Sequence, residues 1–326
     1  MARTAQRMGI RPTTTTKRPT PINPNAPGWG ADLGHIYAEQ LDADTVVLLP
    51  SEYYDEDDVE LREDADAVWM DTLNADRCWK TTAVYEQIGE GHAHVVPFIR
   101  RDLWTACPVL EKPSGPCMEK FMQEAREVMY THPLDSASSR VLPSHRPLIY
   151  QWALHLISGL SFIHSHEIIL SDFGLLNCWL SADSHLSLSL VGFLDATFKW
   201  NVAYGRLYRG ESLSGQSFHP LKYQREPSFQ TDLFLYGCVV YELMTGAWPG
   251  DHSGLRGREI TNLILSKRWP VLETEHMGEI VRKCWNGGFE NAEQVKAEVI
   301  AFLEGLGWEI EGNDDLVGFD VADLEF

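Results

Sequence analysis

The stretch Ile168-Ile169-Leu170-Ser171-Asp172-Phe173-Gly174-Leu175-Leu176-Asn177 sets an aspartate five positions ahead of an asparagine, just after an apolar run that closes in His164-Ser165-His166. In phosphoryl transfer this spacing aims two groups at one centre. The carboxylate takes the hydroxyl proton of the acceptor, and the amide oxygen holds a Mg²⁺ that bridges the nucleotide phosphates. Asp172 is therefore the candidate base and Asn177 the candidate metal ligand. The same two side chains can also close a tight loop by bonding to backbone, a purely structural role.

Working outward, Leu148, Trp152, Leu156, Ile157, Leu160 and Ile163 recur at helical spacing, so 147–164 is predicted as a core-packed helix. After Asn177, Leu186-Ser187-Leu188-Ser189-Leu190 alternates as a strand does, and Ser181-Ala182-Asp183-Ser184 reads as the turn of a strand pair. Further on come Tyr223-Gln224-Arg225-Glu226-Pro227 and Thr231-Asp232-Leu233-Phe234-Leu235-Tyr236-Gly237, continuing to Tyr241-Glu242-Leu243-Met244-Thr245-Gly246-Ala247-Trp248-Pro249. A late helix ends in Ile280-Val281-Arg282-Lys283-Cys284-Trp285.

Taken together, these segments resemble the large lobe of the eukaryotic protein kinases, in the form of the short, divergent kinase-like proteins common in fungi. The resemblance covers about residues 28–306 and is densest from 146 to 286. It implies an α+β, bilobal protein-kinase-like fold with a small β-rich N-lobe over 28–112 and a large helical C-lobe over 113–308. In the small lobe, strands are expected over 95–99 and 107–110, with a helix over 79–89 closed by Gly89. Leu110-Glu111-Lys112-Pro113-Ser114-Gly115 reads as a strand running into a hinge, followed by a helix to about Tyr130. Residues 1–27 are expected as a disordered basic tail and 309–326 as an acidic flexible tail, in which Phe319 and Phe326 could dock a partner.

Composition bounds the function. A chain of 326 residues with 44% hydrophobic and 23% charged residues can bury a substantial core. No apolar run reaches the ~20 residues that cross a bilayer. The net charge of −20 argues against nucleic acid as a partner, because phosphate contacts dominate that affinity. Six cysteines without a C-x-x-C pair read as buried free thiols in a reducing compartment, cytoplasmic or nuclear. The N-terminus carries Arg3, Arg7, Arg11, Lys17 and Arg18 and no acid before residue 30. It is a disordered tail or, alternatively, a transit peptide. An acidic run from Glu52 to Asp66 is expected as a solvated loop or helix lead-in.

The family's catalytic parts are then sought one by one. The metal-binding Asp of D-F-G, about thirteen residues past the asparagine, falls on Leu190-Val191-Gly192, so the carboxylate position is Leu190. A shifted register could present Asp195 instead. In Thr45-Val46-Val47-Leu48-Leu49-Pro50, Leu48 stands at the position of the strand lysine, and no lysine occurs between Lys17 and Lys80. With Tyr85 as the apolar helix anchor, Thr81 takes the place of the helix glutamate, and Glu86 lies on another face. His-Arg-Asp has become Leu170-Ser171-Asp172, and the catalytic-loop lysine has become Gly174. Loss of that arginine removes the usual partner of a phosphorylated activation segment, despite Tyr208, Ser212, Ser214 and Ser217. Candidate nucleotide contacts are Gly28 and Gly30 in Gly28-Trp29-Gly30-Ala31-Asp32-Leu33-Gly34, Glu111 at the hinge, and Lys80 as a relocated cation or a solvent-facing helix lysine. Asp232 is expected to accept backbone N–H groups at a helix start and from the catalytic loop.

Phosphoryl transfer rests on positioning and charge neutralisation, and four of its charged groups are replaced here. The leading expectation is a pseudokinase that binds or regulates a protein partner, with no Mg·ATP binding. The alternatives are an active Ser/Thr kinase that uses ATP and Mg²⁺ with Asp172 as base, and a small-molecule phosphotransferase sharing the Asp/Asn spacing. No membrane or nucleic-acid partner is expected.

Overall fold

The computed structural model describes residues 30–33, 36–50, 65–171, 174–199, 207–208, 227–251, 257–324 and 326. Gly28, the acidic run as far as Asp64, Asp172, and the stretch from Ser212 through Glu226 lie outside them.

The chain begins with β1 (Gly30–Asp32), β2 (Ile36–Gln40) and β3 (Thr45–Pro50), then a long helix α1 (Ala65–Ile88), then β4 (Phe98–Arg101) and β5 (Pro108–Glu111). These strands form one antiparallel sheet in the order β1-β2-β3-β5-β4. Helix α1 lies across β2, β3 and β5. It stops at Gly89, whose amide closes on the Tyr85 carbonyl at 3.0 Å. Strand β4 starts at Phe98, three residues later than the sequence suggests, because Val95 and Val96 leave the sheet. They run beside the later strand β7 (Leu188–Leu190) instead, with Val96 N donating to Leu190 O at 2.9 Å and Leu190 N to His94 O at 2.9 Å.

Helices dominate the rest: α2 (Met118–Met129), α3 (Arg146–Ser165), α4 (Phe229–Thr245), α5 (Gly257–Leu265), α6 (Gly278–Asn286) and α7 (Ala292–Gly305). Fifteen of the twenty residues of α3 are buried, so it is enclosed all round, as an axial helix is. Helix α4 opens on a reciprocal Ser228–Thr231 cap and stops at Gly246, in the left-handed region. Its Gly237 lets α6 approach: an added Cβ would lie 2.9 Å from Cys284 Cβ and 3.2 Å from the Trp285 ring. Trp285 in turn packs on Tyr241 and Trp269. One continuous core runs from Leu33 to Phe319. The fold is mixed α/β, a small antiparallel sheet followed by several helices, and is compatible with the bilobal arrangement expected.

The C-terminal tail departs from expectation. Residues expected to be flexible form a hairpin, Ile310–Glu311 with Asp315–Leu316, docked on α3 and α7. Leu316 is fully buried, its amide donates to Gln151 Oε1 at 2.7 Å, and Lys296 pairs with Asp314 at 2.9 Å. Acidity misled the reading, since these carboxylates have built-in partners: Asp314 takes Ser158 and Lys296, and Asp315 takes His155. Phe319 is buried within the chain itself, and Phe326 sets its ring against Phe121 and His145.

Candidate functional site

The loop leading to Asp172 hangs on one buried carboxylate. Asp232, in the first turn of α4, accepts from Leu170 N at 2.7 Å, Ser171 N at 2.9 Å and His164 Nε2 at 2.9 Å. Three donors on a fully buried carboxylate fix the loop against the core. Across the loop, Ile169 and Thr197 exchange backbone hydrogen bonds at 2.9 and 2.7 Å. This is the anchoring role that the sequence suggests for Asp232.

Asn177 ends a short 3-10 turn, Leu175–Asn177, just before β6 (Cys178–Leu180). Its Oδ1, the atom that would face a cation, accepts from Gly174 N at 3.2 Å. Its Nδ2 donates to Gly192 O at 3.2 Å, and its own carbonyl accepts from Val191 N at 2.9 Å. Each end of the amide thus makes one bond to backbone.

The residue facing that amide is Gly192, and here the sequence count is corrected. Leu190 lies in β7 opposite Cys178, and its side chain turns to α3, where Cδ1 would be 3.1 Å from a Cβ placed on Gly159. A Cβ on Gly192 would instead sit 3.6 Å from Asn177 Nδ2 and 2.9 Å from Leu33 Cδ2. A side chain meant to converge with Asn177 on one ion would therefore stand at 192, fifteen residues past Asn177, and not at 190. The triplet becomes Gly192-Phe193-Leu194, which keeps its aromatic. Phe193 is buried with its ring centroid 4.9 Å from that of Tyr85 on α1. Neither Leu190 nor Gly192 offers an oxygen from its side chain. The packed Leu33 adds apolar surface beside Gly192.

Beneath the sheet, the two residues expected at the strand–helix ion-pair positions are uncharged and buried. Leu48 and Thr81 are fully buried, and Thr81 Oγ1 donates to Arg77 O at 2.9 Å. An ion pair exists one turn earlier on the helix. Arg77 Nε meets Asp195 Oδ1 at 3.4 Å, with side chains only 1% and 4% exposed. Arg77 Nη1 donates to Asn74 Oδ1 at 3.1 Å, while Nη2 is buried without a partner. Asp195 therefore points at an arginine on α1, not at a metal position beside Asn177. Lys80 is 6% exposed, so the solvent-facing reading of it does not hold. Glu86 is spent at the surface, chelating Arg101 through both oxygens.

The remaining candidates disperse. Gly30 pairs with Glu39 in β1, and Glu111 is exposed at the end of β5, its amide donating to Pro97 O at 2.9 Å. Among the described residues no group of three or more His, Cys, Asp or Glu is arranged to hold a metal ion. The described residues around Asn177 do not fit a Mg²⁺-bridged triphosphate. Sequence reasoning missed Arg77 and Leu33, because nothing in a single sequence marks an arginine as buried or a loop leucine as a plug.

Comparison with known proteins gives a partial likeness. Serine/threonine-protein kinase A-Raf of Homo sapiens is 30% identical over 105 residues, 31% of this chain and 17% of that protein. The Mus musculus protein of the same name gives the same figures. Spermatocyte protein spe-8 of Caenorhabditis elegans is 25% identical over 118 residues, 36% of this chain and 22% of that protein. The matched part is thus about a fifth of the length of these relatives. No protein-family model matches the chain. The chain carries a weak, partial relationship to protein kinases. Among the described residues no helix is long and apolar enough to cross a membrane.

Proposed function

We propose that this chain is a bilobal pseudokinase: a kinase-shaped module that binds and regulates a protein partner without transferring phosphate. One observation carries the reading. The Leu33 side chain packs on Gly192 beside an Asn177 amide whose Oδ1 and Nδ2 each bond to backbone, so that side of the amide is apolar and carries no carboxylate. The uncharged Leu48 and Thr81 support it. Removing one preorganised electrostatic group costs typically ~10²–10³ in rate, and here several are absent together. The experiment is thermal unfolding of the full chain with millimolar ATP, with and without Mg²⁺. The expected result is no shift in Tm. A rise of several degrees that requires Mg²⁺ would overturn the reading.

A second reading, an active divergent kinase with Asp172 as base, draws on Lys80, which is buried on α1 one turn from Arg77. It requires phosphotransfer by the purified chain that vanishes in Asp172→Ala. Equal turnover in that variant dismisses it.

A further inference from the structure

We propose that the α3 face carrying Gln151, His155 and Ser158, with His94 and Lys296 beside it, is a peptide-binding site for acidic segments of the form Asp-Asp-Leu. The chain's own residues 313–316 fill it, and a partner protein's segment of the same chemistry enters by displacing them. The proposal rests on the binding role proposed above and gives that partner a chemistry, at a site away from Asn177.

Gln151, His155 and Ser158 follow one another at spacings of four and three, so they share one face of a helix that is otherwise core. All three are buried, as is His94. Polar side chains this deep need partners, and theirs come from one short stretch of the tail. Gln151 Oε1 accepts from Leu316 N at 2.7 Å, and its Nε2 donates to Asp314 O at 3.0 Å and Asp315 Oδ1 at 3.2 Å. Leu188 N donates to His155 Nδ1 at 3.2 Å, so the neutral ring carries its proton on Nε2, 3.2 Å from Asp315 Oδ1. Ser158 donates to Asp314 Oδ2, and Lys296 Nζ donates to the same oxygen at 2.9 Å. His94 Nε2 lies 2.6 Å from Asn313 O, and Leu316 is fully buried.

Two carboxylates, three main-chain groups and a leucine are thus held by side chains from three separate parts of the chain. Peptide sites work this way, with main-chain bonds giving affinity and side-chain contacts giving choice of sequence. The resident segment can be exchanged. Residues 309–326 hold seven acids and no base in a chain of net charge −20, so like charge opposes their docking everywhere but at this site. Their hairpin pairs only two residues with two, which has little stability alone. It joins α7 through the half-exposed Leu306 and through Gly307 at φ 91, a tether that lets the tail swing away while α7 stays in place. An incoming acidic segment meets the same Lys296 cation and the same donors that the tail leaves behind.

The test titrates the full chain with a fluorescent peptide of residues 309–326 and reads anisotropy. No nucleotide is present, so the outcome is separate from that of the Mg·ATP melt. Asp314→Ala with Leu316→Ala loosens the resident tail, and this variant should bind the peptide about tenfold more tightly than the wild type, whose tail competes at high effective concentration. A peptide bearing the same two replacements should not bind. Gln151→Leu added to the loosened chain should weaken binding about tenfold, through the loss of its hydrogen bonds. If the loosened chain does not fold, the wild type decides: saturating isotope-labelled peptide should speed hydrogen exchange at the chain's own Leu316 and Val317 amides. The proposal fails if the altered and unaltered peptides bind alike, if Gln151→Leu has no effect, or if the loosened chain binds no more tightly than the wild type. It fails equally if the peptide leaves tail exchange in the wild type unmoved.

Discussion

Substituting Asp195 by alanine strips the Arg77 guanidinium of its only carboxylate partner among the described residues. Arg77 would keep one hydrogen bond, to Asn74 Oδ1 at 3.1 Å, with Nε and Nη2 both unsatisfied in a site 1% exposed. Stranding a buried charge in this way costs about 3–5 kcal/mol, much more than removing both members. For a domain of this size each kcal/mol moves Tm by roughly 2–4 °C, so Asp195→Ala should melt about 10 °C lower. The pair Arg77→Met with Asp195→Leu restores most of that loss, since an apolar pair of similar volume needs no counter-charge. Urea unfolding followed by tryptophan fluorescence, run as a double-mutant cycle, isolates the coupling, expected at about 2–3 kcal/mol. The reasoning is refuted if Asp195→Ala costs under about 1 kcal/mol, or if the double variant is as unstable as the single one. Either result would mean that Asp195 is not committed to α1 and is free to serve elsewhere.

Two further outcomes follow from the helical part. Burial, with Asp251 and Glu119 nearby, lifts the Glu242 carboxyl from 4.5 to about 7. The folded state then holds that proton more tightly than the unfolded chain, so this contribution is full below pH 4.5 and is lost as pH rises to about 7. Glu242→Gln should flatten the fall and raise the urea midpoint at pH 8; an unchanged pH slope would refute it. Deleting residues 309–326 exposes the site of Leu316 and removes the tail partners of Gln151 and Lys296. A loss of about 3 kcal/mol is expected from one buried leucine and these hydrogen bonds, and an unaltered urea midpoint would show that the tail is not docked.

What could be read from the sequence was what depends on local spacing. Helix α3 announces itself through Leu148, Trp152, Leu156 and Leu160, and the β6–β7 pair through the alternation of Leu186, Leu188 and Leu190. Asp232 could be given its anchoring role because a carboxylate in the first turn of an apolar helix has few other uses. The failures share a cause, which is contact between residues far apart in the chain. Arg77 meets Asp195 across 118 positions, and Gln151 meets Leu316 across 165. Periodicity holds no record of such encounters. The count that set Leu190 opposite Asn177 is a smaller error of the same kind: a fixed count cannot register a turn longer than the one assumed, and only the packing of Leu190 on α3 reveals it.

Gly192 bears on how such a protein could change over time. Its backbone stands at φ 70, a conformation that strains an aspartate, and Leu33 already fills the space a side chain would enter. An aspartate substituted there would lower stability, because its Cβ would stand 2.9 Å from Leu33 Cδ2. Placing an acid at 192 requires Leu33 to shrink and the backbone to turn over together, so neither change succeeds alone.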